Sequence, residues 1–424
     1  MTRRPRAVIV VTGTELVRGD RTDRNGPFYA REALALGLVP DRIVIVGDDP
    51  IDLESALRAA DGADVCLVSG GLGPTHDDRT VELVARVAGA PLRVDLELAG
   101  KIEAVSRRVA ERLGRPYADF APGVTKQATV PEGAVVVGIA GTAPGLVLAA
   151  ERTVFVVMPG PPGELRRLWP AAVDSAPVQA VLGRTMPPER RVLRFYGVSE
   201  SAVARSLAGA GGDGDGIEVT ICARDFEIHV DLVVEPGAES RASAFADAFL
   251  EPLRSYLFTE DERTVADIVL DACRVRGLRL GTAESCTGGL VAARLTDVPG
   301  SSDVFAGSVI AYADEVKIGQ LGVPEELLAE HGAVSAEVAA AMAEGIRSRL
   351  GVDVGIAVTG VAGPGGGTDD KPVGLVHFHV ATPGGSDAGE FSLPADRDTI
   401  RSRATVAALH LARRVLARSR HEEV

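Results

Sequence analysis

The sequence predicts an α/β protein in three parts: a parallel-sheet domain over residues 1–175, a small α+β linker domain over 176–259, and a carboxy-terminal α/β domain over 260–424. Three observations carry that prediction. Short apolar runs alternate with helical stretches through the first third of the chain. A length of 424 residues exceeds what one core usually fills. Glycine-rich loops follow the apolar runs, at the carboxyl ends of strands where open α/β sheets bind ligands.

In chain order, Ala7 to Val11 reads as a strand, Asn25 to Leu36 as a helix and Arg42 to Val46 as a second strand. Ile51 to Ala60 reads as a helix and Val65 to Val68 as a third strand. Ala7 to Val11 and Val65 to Val68 are apolar throughout, as expected for strands buried on both faces. Polar residues fall just past each strand: Thr12-Gly13-Thr14-Glu15, Gly47-Asp48-Asp49, and Ser69-Gly70-Gly71-Leu72-Gly73-Pro74-Thr75-His76-Asp77-Asp78. Gly70, Gly71 and Gly73 let backbone amides approach a phosphate. Asp77 and Asp78, joined by Asp48 or Asp49, are of the type that holds Mg²⁺ or a similar hard cation against a pyrophosphate. Equally, Asp78 stands where an acidic residue stabilises a helix start.

Through the middle segment, Arg191 to Tyr196 and Glu227 to Val233 read as strands, with Ser199 capping a helix between them. A spacer or dimerisation module is expected there, because it carries no basic stripe or aromatic platform. In the last third, Leu278, Leu280 and Thr282 alternate like a short strand, and Leu290 to Leu295 reads as a helix face. Ser285 thus sits on a strand-to-helix turn, where unpaired amides of the first helical turn suit an oxyanion. A helix cap is the alternative for such a serine. Ser308 to Tyr312 reads as a further strand, and Lys317 lies close to where it meets a helix. A partly buried lysine there would take the serine proton; the alternative is a solvated lysine on a helix, the commoner case. Val352 to Thr359 reads as a buried strand opening into Gly360-Val361-Ala362-Gly363-Pro364-Gly365-Gly366-Gly367, which is expected to hold ribose and phosphate or else to be a hairpin-like loop before the next strand, Val373 to Ala381. Arg397, Arg401 and Arg403 are phosphate candidates from a late helix, with solvated arginines the commoner case for such residues. Cys286 competes with Ser285 as nucleophile, or packs behind the turn.

These motifs, in order, resemble the carboxy-terminal domain of the CinA family. They are Glu284-Ser285-Cys286-Thr287-Gly288-Gly289, Val298-Pro299-Gly300-Ser301-Ser302, Tyr312 through Lys317, His331-Gly332-Ala333-Val334-Ser335, Thr359 through Pro364, and Lys371-Pro372-Val373-Gly374. The resemblance runs from Glu260 to Arg418. It implies a cofactor-free amidohydrolase of nicotinamide mononucleotide (NMN), with Ser285 as nucleophile and Lys317 and Tyr312 completing the proton-handling group. Glu284, Thr287, Gly288, Gly289, Thr359, Gly360, Gly363, Gly365, Arg397 and Arg401 are the expected substrate-binding residues.

Ser69 through Asp78 resembles the molybdopterin-binding fold shared by molybdenum-cofactor enzymes and CinA amino-terminal domains. Thr14-Glu15-Leu16, Asn25, Met158 through Pro162 and Glu164 fit the CinA version. That resemblance implies a metal-dependent ADP-ribose pyrophosphatase yielding AMP and ribose 5-phosphate. Its expected nucleotide site is Glu15, Asn25, Gly70, Gly71, Gly73, Thr75, Asp77 and Asp78, with Asp48, Asp77 and Asp78 on the metal. This chain carries Gly138 where the family usually has an asparagine, which removes a donor and an acceptor from that loop. The rival readings are molybdopterin handling by this domain, and a non-catalytic nucleotide-binding scaffold in competence or DNA repair. A homodimer is the family expectation.

Composition narrows the field. A net charge of −14 argues against nucleic acid as the main partner and offers no polybasic membrane patch. The basic start, Met1-Thr-Arg-Arg-Pro-Arg, runs straight into a strand too short for a signal core or a span. Cys66, Cys222, Cys273 and Cys286 are scattered without a Cys-x-x-Cys, which reads as reduced thiols in the cytoplasm.

Overall fold

The structure is a computed structural model that describes residues 4–60 and 62–418; Met1 to Arg3 of the basic start lie outside the described residues. It is mixed α/β and divides into two compact units, Met1–Glu189 and Arg190–Val424. The first extends past residue 175 because Val178 and Val181, on the helix Ala176–Leu182, are buried in its core.

The first unit holds strands β1 (Arg6–Thr12), β2 (Val39–Val46), β3 (Val65–Ser69), β4 (Leu92–Val94), β5 (Thr129–Pro131), β6 (Val135–Ala140), β7 (Ala143–Ala149) and β8 (Val154–Met158). Six of them form a sheet in the order β2-β1-β3-β8-β7-β6, and β4 and β5 pair separately. The first four are parallel, as expected; β7 and β6 run antiparallel because Gly141 and Thr142 leave room only for a tight turn between them. Val8 and Val10 of β1 enter one core while Ala7, Ile9 and Val11 enter the other. Two-sided burial is why this strand reads as an unbroken apolar run. Asp49 accepts from the amides of Ile51 and Asp52 and so starts the helix Pro50–Ala59.

The second unit contains two sheets. Strands β9 (Glu189–Tyr196), β10 (Ile217–Arg224), β11 (Glu227–Val234) and β12 (Leu257–Thr259) lie in the order β10-β11-β9-β12. Phe195, Phe245 and Phe249 fill their core. The other sheet runs β14-β13-β15-β16-β17, built from β13 (Leu280–Glu284), β14 (Phe305–Ile310), β15 (Val354–Gly360), β16 (Leu375–Thr382) and β17 (Gly385–Ser392). Here β14, β13 and β15 are parallel, and β16 and β17 are antiparallel. The helices Val265–Arg276 and Arg397–Arg418 cover one face, and Ala336–Leu350 covers the other. Among the described residues no helix is long and apolar enough to cross a membrane.

Candidate active site

Three adjacent parallel strands end together in the second unit, and their register gathers the site. Glu284 ends β13; its carbonyl accepts from the amide of Ala311, just past β14, and the Ser285 amide donates to Val358 of β15. Ser285, Tyr312 and Thr359 therefore emerge at one edge of the sheet. The Ser285 side chain is buried but not enclosed, at 8% exposure, whereas Lys317 is 1% exposed. Lys317 Nζ donates to the Tyr312 carbonyl at 3.3 Å and to Asp314 at 3.1 Å. Those bonds aim a long side chain back along its helix, Asp314–Leu321, toward the strand ends.

Glu284 overturns two expectations. Its carboxylate accepts from the amides of Gly289 at 2.9 Å, Val291 at 3.1 Å and Ala292 at 2.8 Å. The side chain is fully buried. It satisfies the start of the helix Leu290–Thr296, so the first-turn amides are not open to an oxyanion, and Glu284 braces the loop instead of meeting substrate. Gly288 and Gly289 have φ of 60° and 100°, which is why glycines fill the turn. Cys286 packs behind it at 4% exposure, and burial pushes its thiol up to about 12. A thiol so held stays protonated at neutral pH, as suits a residue that packs behind the turn.

The two arginines are anchored. Arg401 donates to the carbonyls of Cys286 at 3.1 Å and Thr287 at 2.9 Å. Arg397 donates to the Gly363 carbonyl at 2.6 Å and to the Tyr312 hydroxyl at 2.9 Å. One helix thus ties the serine loop, the glycine-rich loop and Tyr312 together. Tyr312 is 60% exposed, and because its oxygen accepts from Arg397, its own proton remains free to donate outward. Thr359 is buried and donates to the Ala333 carbonyl. Thr287 is also buried, its hydroxyl without a partner. The glycine-rich loop joins antiparallel strands and opens no helix, so no helix start cradles a phosphate there. A Cβ at Gly360 would meet the Leu375 carbonyl at 2.7 Å, whereas one at Gly365 would meet only open space. Gly360 is thus a packing glycine, whereas Gly365 is exposed.

In the first unit the expected nucleotide residues split between two clefts. Glu15 and Asn25 line one of about 550 Å³ with Arg21, Arg24 and Ser69. Gly71, Gly73 and Asp78 line another of about 380 Å³ with His76 and Lys126. Asn25 donates to Ser69 Oγ at 2.8 Å and to the Gly160 carbonyl at 2.7 Å. A Cβ at Gly70 would strike the Thr12 carbonyl, so that glycine answers a close approach of backbone to backbone. The three expected metal ligands are not brought together. Asp48 accepts from Thr12 Oγ1 at 3.1 Å and from both N and Oγ1 of Thr14, at 3.0 and 2.7 Å. Asp78 accepts from the amide and hydroxyl of Thr75, and Asp77 is exposed. Among the described residues no group of three or more His, Cys, Asp or Glu is gathered for a metal ion. Asp48 and Asp78 are engaged in turns and Asp77 stands apart on the surface, so the three do not fit a shared cation. Gly138 sits at a register shift in β6 with φ of 136°.

Comparison with known proteins agrees with this division. Residues 262–416 match the CinA C-terminal domain, and residues 8–177 match a probable molybdopterin binding domain. The chain is 44% identical over 430 residues to a CinA-like protein of Mycolicibacterium paratuberculosis (strain ATCC BAA-968 / K-10), covering 97% of this chain and 98% of that one. It is 44% identical over 420 residues to a CinA-like protein of Mycobacterium sp. (strain MCS), covering 97% and 99%. The crystal structure of competence/damage inducible protein CihA from Agrobacterium tumefaciens is 36% identical, covers 38% of this chain and 99% of that one, and has a TM-score of 0.35. Both domains match in order and near full-length relatives align end to end, so this chain belongs to the CinA family.

Proposed function

We propose that the second unit is an amidohydrolase that converts NMN to nicotinic acid mononucleotide and ammonia. The observation that carries this reading is the placement of a buried serine, a buried lysine and an outward-facing tyrosine hydroxyl at the ends of adjacent parallel strands. Ser285 Oγ attacks the carboxamide carbon, and Lys317 takes the hydroxyl proton. Charge develops on the carboxamide oxygen, and Tyr312, supported by Arg397, donates to it. That pair takes the role that the helix-start amides, bound to Glu284, do not serve. The C–N bond breaks, the proton returns to the leaving nitrogen as ammonia departs, and water then cleaves the acyl-serine ester. Ammonia release from NMN by the full chain, beside Ser285→Ala, tests it. Release by the parent that disappears in the variant supports the reading; release by neither overturns it in favour of a nucleotide-binding scaffold.

For the first unit we propose nucleotide binding in the cleft of Glu15, Asn25 and Ser69, with ADP-ribose as the ligand the family resemblance implies. The support is an anchored asparagine beside Arg21 and Arg24 at the carboxyl ends of β1 and β3. Calorimetry with ADP-ribose and with molybdopterin, each with and without Mg²⁺, separates this reading from pterin handling and shows whether a cation is required.

A further inference from the structure

The hairpin joining β10 to β11 turns through Asp225 and Phe226, whose φ values are 49° and 64°. Two-residue hairpins with positive φ at both positions normally use Asn-Gly or Asp-Gly, and a phenylalanine there is a strained choice. Strain of this kind persists where surroundings hold it in place. Each residue of the tip meets a helix of the serine-bearing domain. Asp225 pairs with Arg294 at 3.3 Å, on the helix that follows the serine loop. The Phe226 ring lies 4.6 Å below the Arg403 guanidinium, and Glu227 accepts from His410 Nε2 at 2.7 Å. Arg403 and His410 share the helix Arg397–Arg418 with Arg397 and Arg401, which hold the site loops.

Beneath the tip, His410 is completely buried. Tyr196 stacks on its ring at 3.8 Å and Phe258 packs edge-on at 4.8 Å. Both aromatic residues belong to the β9–β12 part of the unit. The arginine-bearing helix is therefore clamped by a different sheet from the one that carries the nucleophile.

We infer that Asp225, Phe226 and Glu227 are positioning residues for the serine site. The β9–β12 sheet is then more than a spacer: its hairpin tip sets the helix that carries Arg397 and Arg401, and with it the loops at Ser285 and Gly363. The kinetic side of this inference rests on the proposed amidase activity; the structural side does not.

The test uses the full chain with Phe226→Ala, with Phe226→Tyr as the variant that keeps the ring, and follows amide hydrogen exchange by mass spectrometry. Phe226→Ala is expected to speed exchange across residues 286–292 and 397–404 by about tenfold while the β11 core keeps its protection. Phe226→Tyr restores the parent rates. With NMN, Phe226→Ala raises KM about fivefold while kcat stays within about twofold of the parent, as for a lost contribution to substrate placement. Parent-like exchange at both segments in a folded Phe226→Ala protein overturns the inference, whether or not the chain turns over NMN. Should Phe226→Ala fail to fold, Asp225→Asn is read at 286–292 by the same two outcomes. An inactive parent protein with accelerated exchange in the variant would count against the amidase and leave the clamp standing.

Discussion

The serine end of the second unit and the β1/β3 end of the first offer the same raw material: glycine loops past parallel strands, with carboxylates, hydroxyls and arginines close by. They differ in what is left uncommitted. Around Ser285 the structural demands of the loops fall on supporting residues. Glu284 takes the helix amides, and Arg401 takes the Cys286 and Thr287 carbonyls. Ser285 and the Tyr312 proton stay free. In the first unit the groups that look most reactive are themselves the supports, since Asp48 closes the Thr12–Thr14 turn and Asp78 closes its own. A loop rich in chemistry becomes a site only when other residues do the bracing.

The strongest test of that contrast is Ser285→Ala, expected to cut ammonia release from NMN by at least about 10³-fold. A steady-state assay that finds activity unchanged would erase the distinction between the free serine and its supports. Next comes Glu284→Ala, which strands three backbone amides, one of them buried and two part-buried, and is expected to cost the second unit about 2–3 kcal/mol, read by denaturant unfolding. A purely substrate-binding Glu284 would instead change KM and leave stability alone. In the first unit, Asn25→Ala removes two hydrogen bonds and is expected to cost about 1–2 kcal/mol of stability. It should also weaken ADP-ribose binding, whereas Asp78→Asn should leave binding nearly unaltered; calorimetry showing the reverse order would move the site to the Gly71 cleft.

A pH series sharpens the comparison further, since His410 ties only the second unit together. Burial holds its pKa below the usual 6.5. The folded state thus resists protonation that the unfolded chain accepts. The stability involved is fully present above pH 6.5 and is lost as pH falls toward the lowered folded value, at no more than about 1.4 kcal/mol per pH unit. Burial pushes Glu227 up, but its bonds to His229 and His410 together hold it below 4.5, which adds a further loss in the same direction below pH 4.5. His410→Phe should flatten the first part of that fall, and a second unit equally pH-sensitive in the variant would exclude His410 as its source. The smallest effect expected is that of Cys286→Ala, with amidase activity within about threefold of the parent.

The sequence showed what is local. The α/β alternation, the serine turn and the lysine at the next strand–helix junction are each written in a few adjacent residues, and the structure has them. Bonds to backbone carbonyls leave no such trace. Arg401 and its partner Cys286 are 115 residues apart, and nothing in either segment signals the pairing. Glu284 reads the same whether it binds substrate or caps a helix, and Asp48 the same whether it binds metal or threonines. Phe226 had one signal, a bulky residue at a two-residue turn with no glycine, which gains meaning only once Arg403 is seen above it.

Because Arg401 follows the serine loop by 115 residues, the two cannot meet while the ribosome is still working through that interval. At roughly 5–20 residues per second, synthesis takes roughly 6–23 seconds to cover it. During that time Ser285 exists without the brace that shapes its loop. The first unit has its whole sheet by residue 158 and need not wait. On the growing chain, the proposed nucleotide cleft therefore comes of age well before the proposed hydrolytic site, and a nascent chain stopped short of Arg397 would carry the serine motif without its brace.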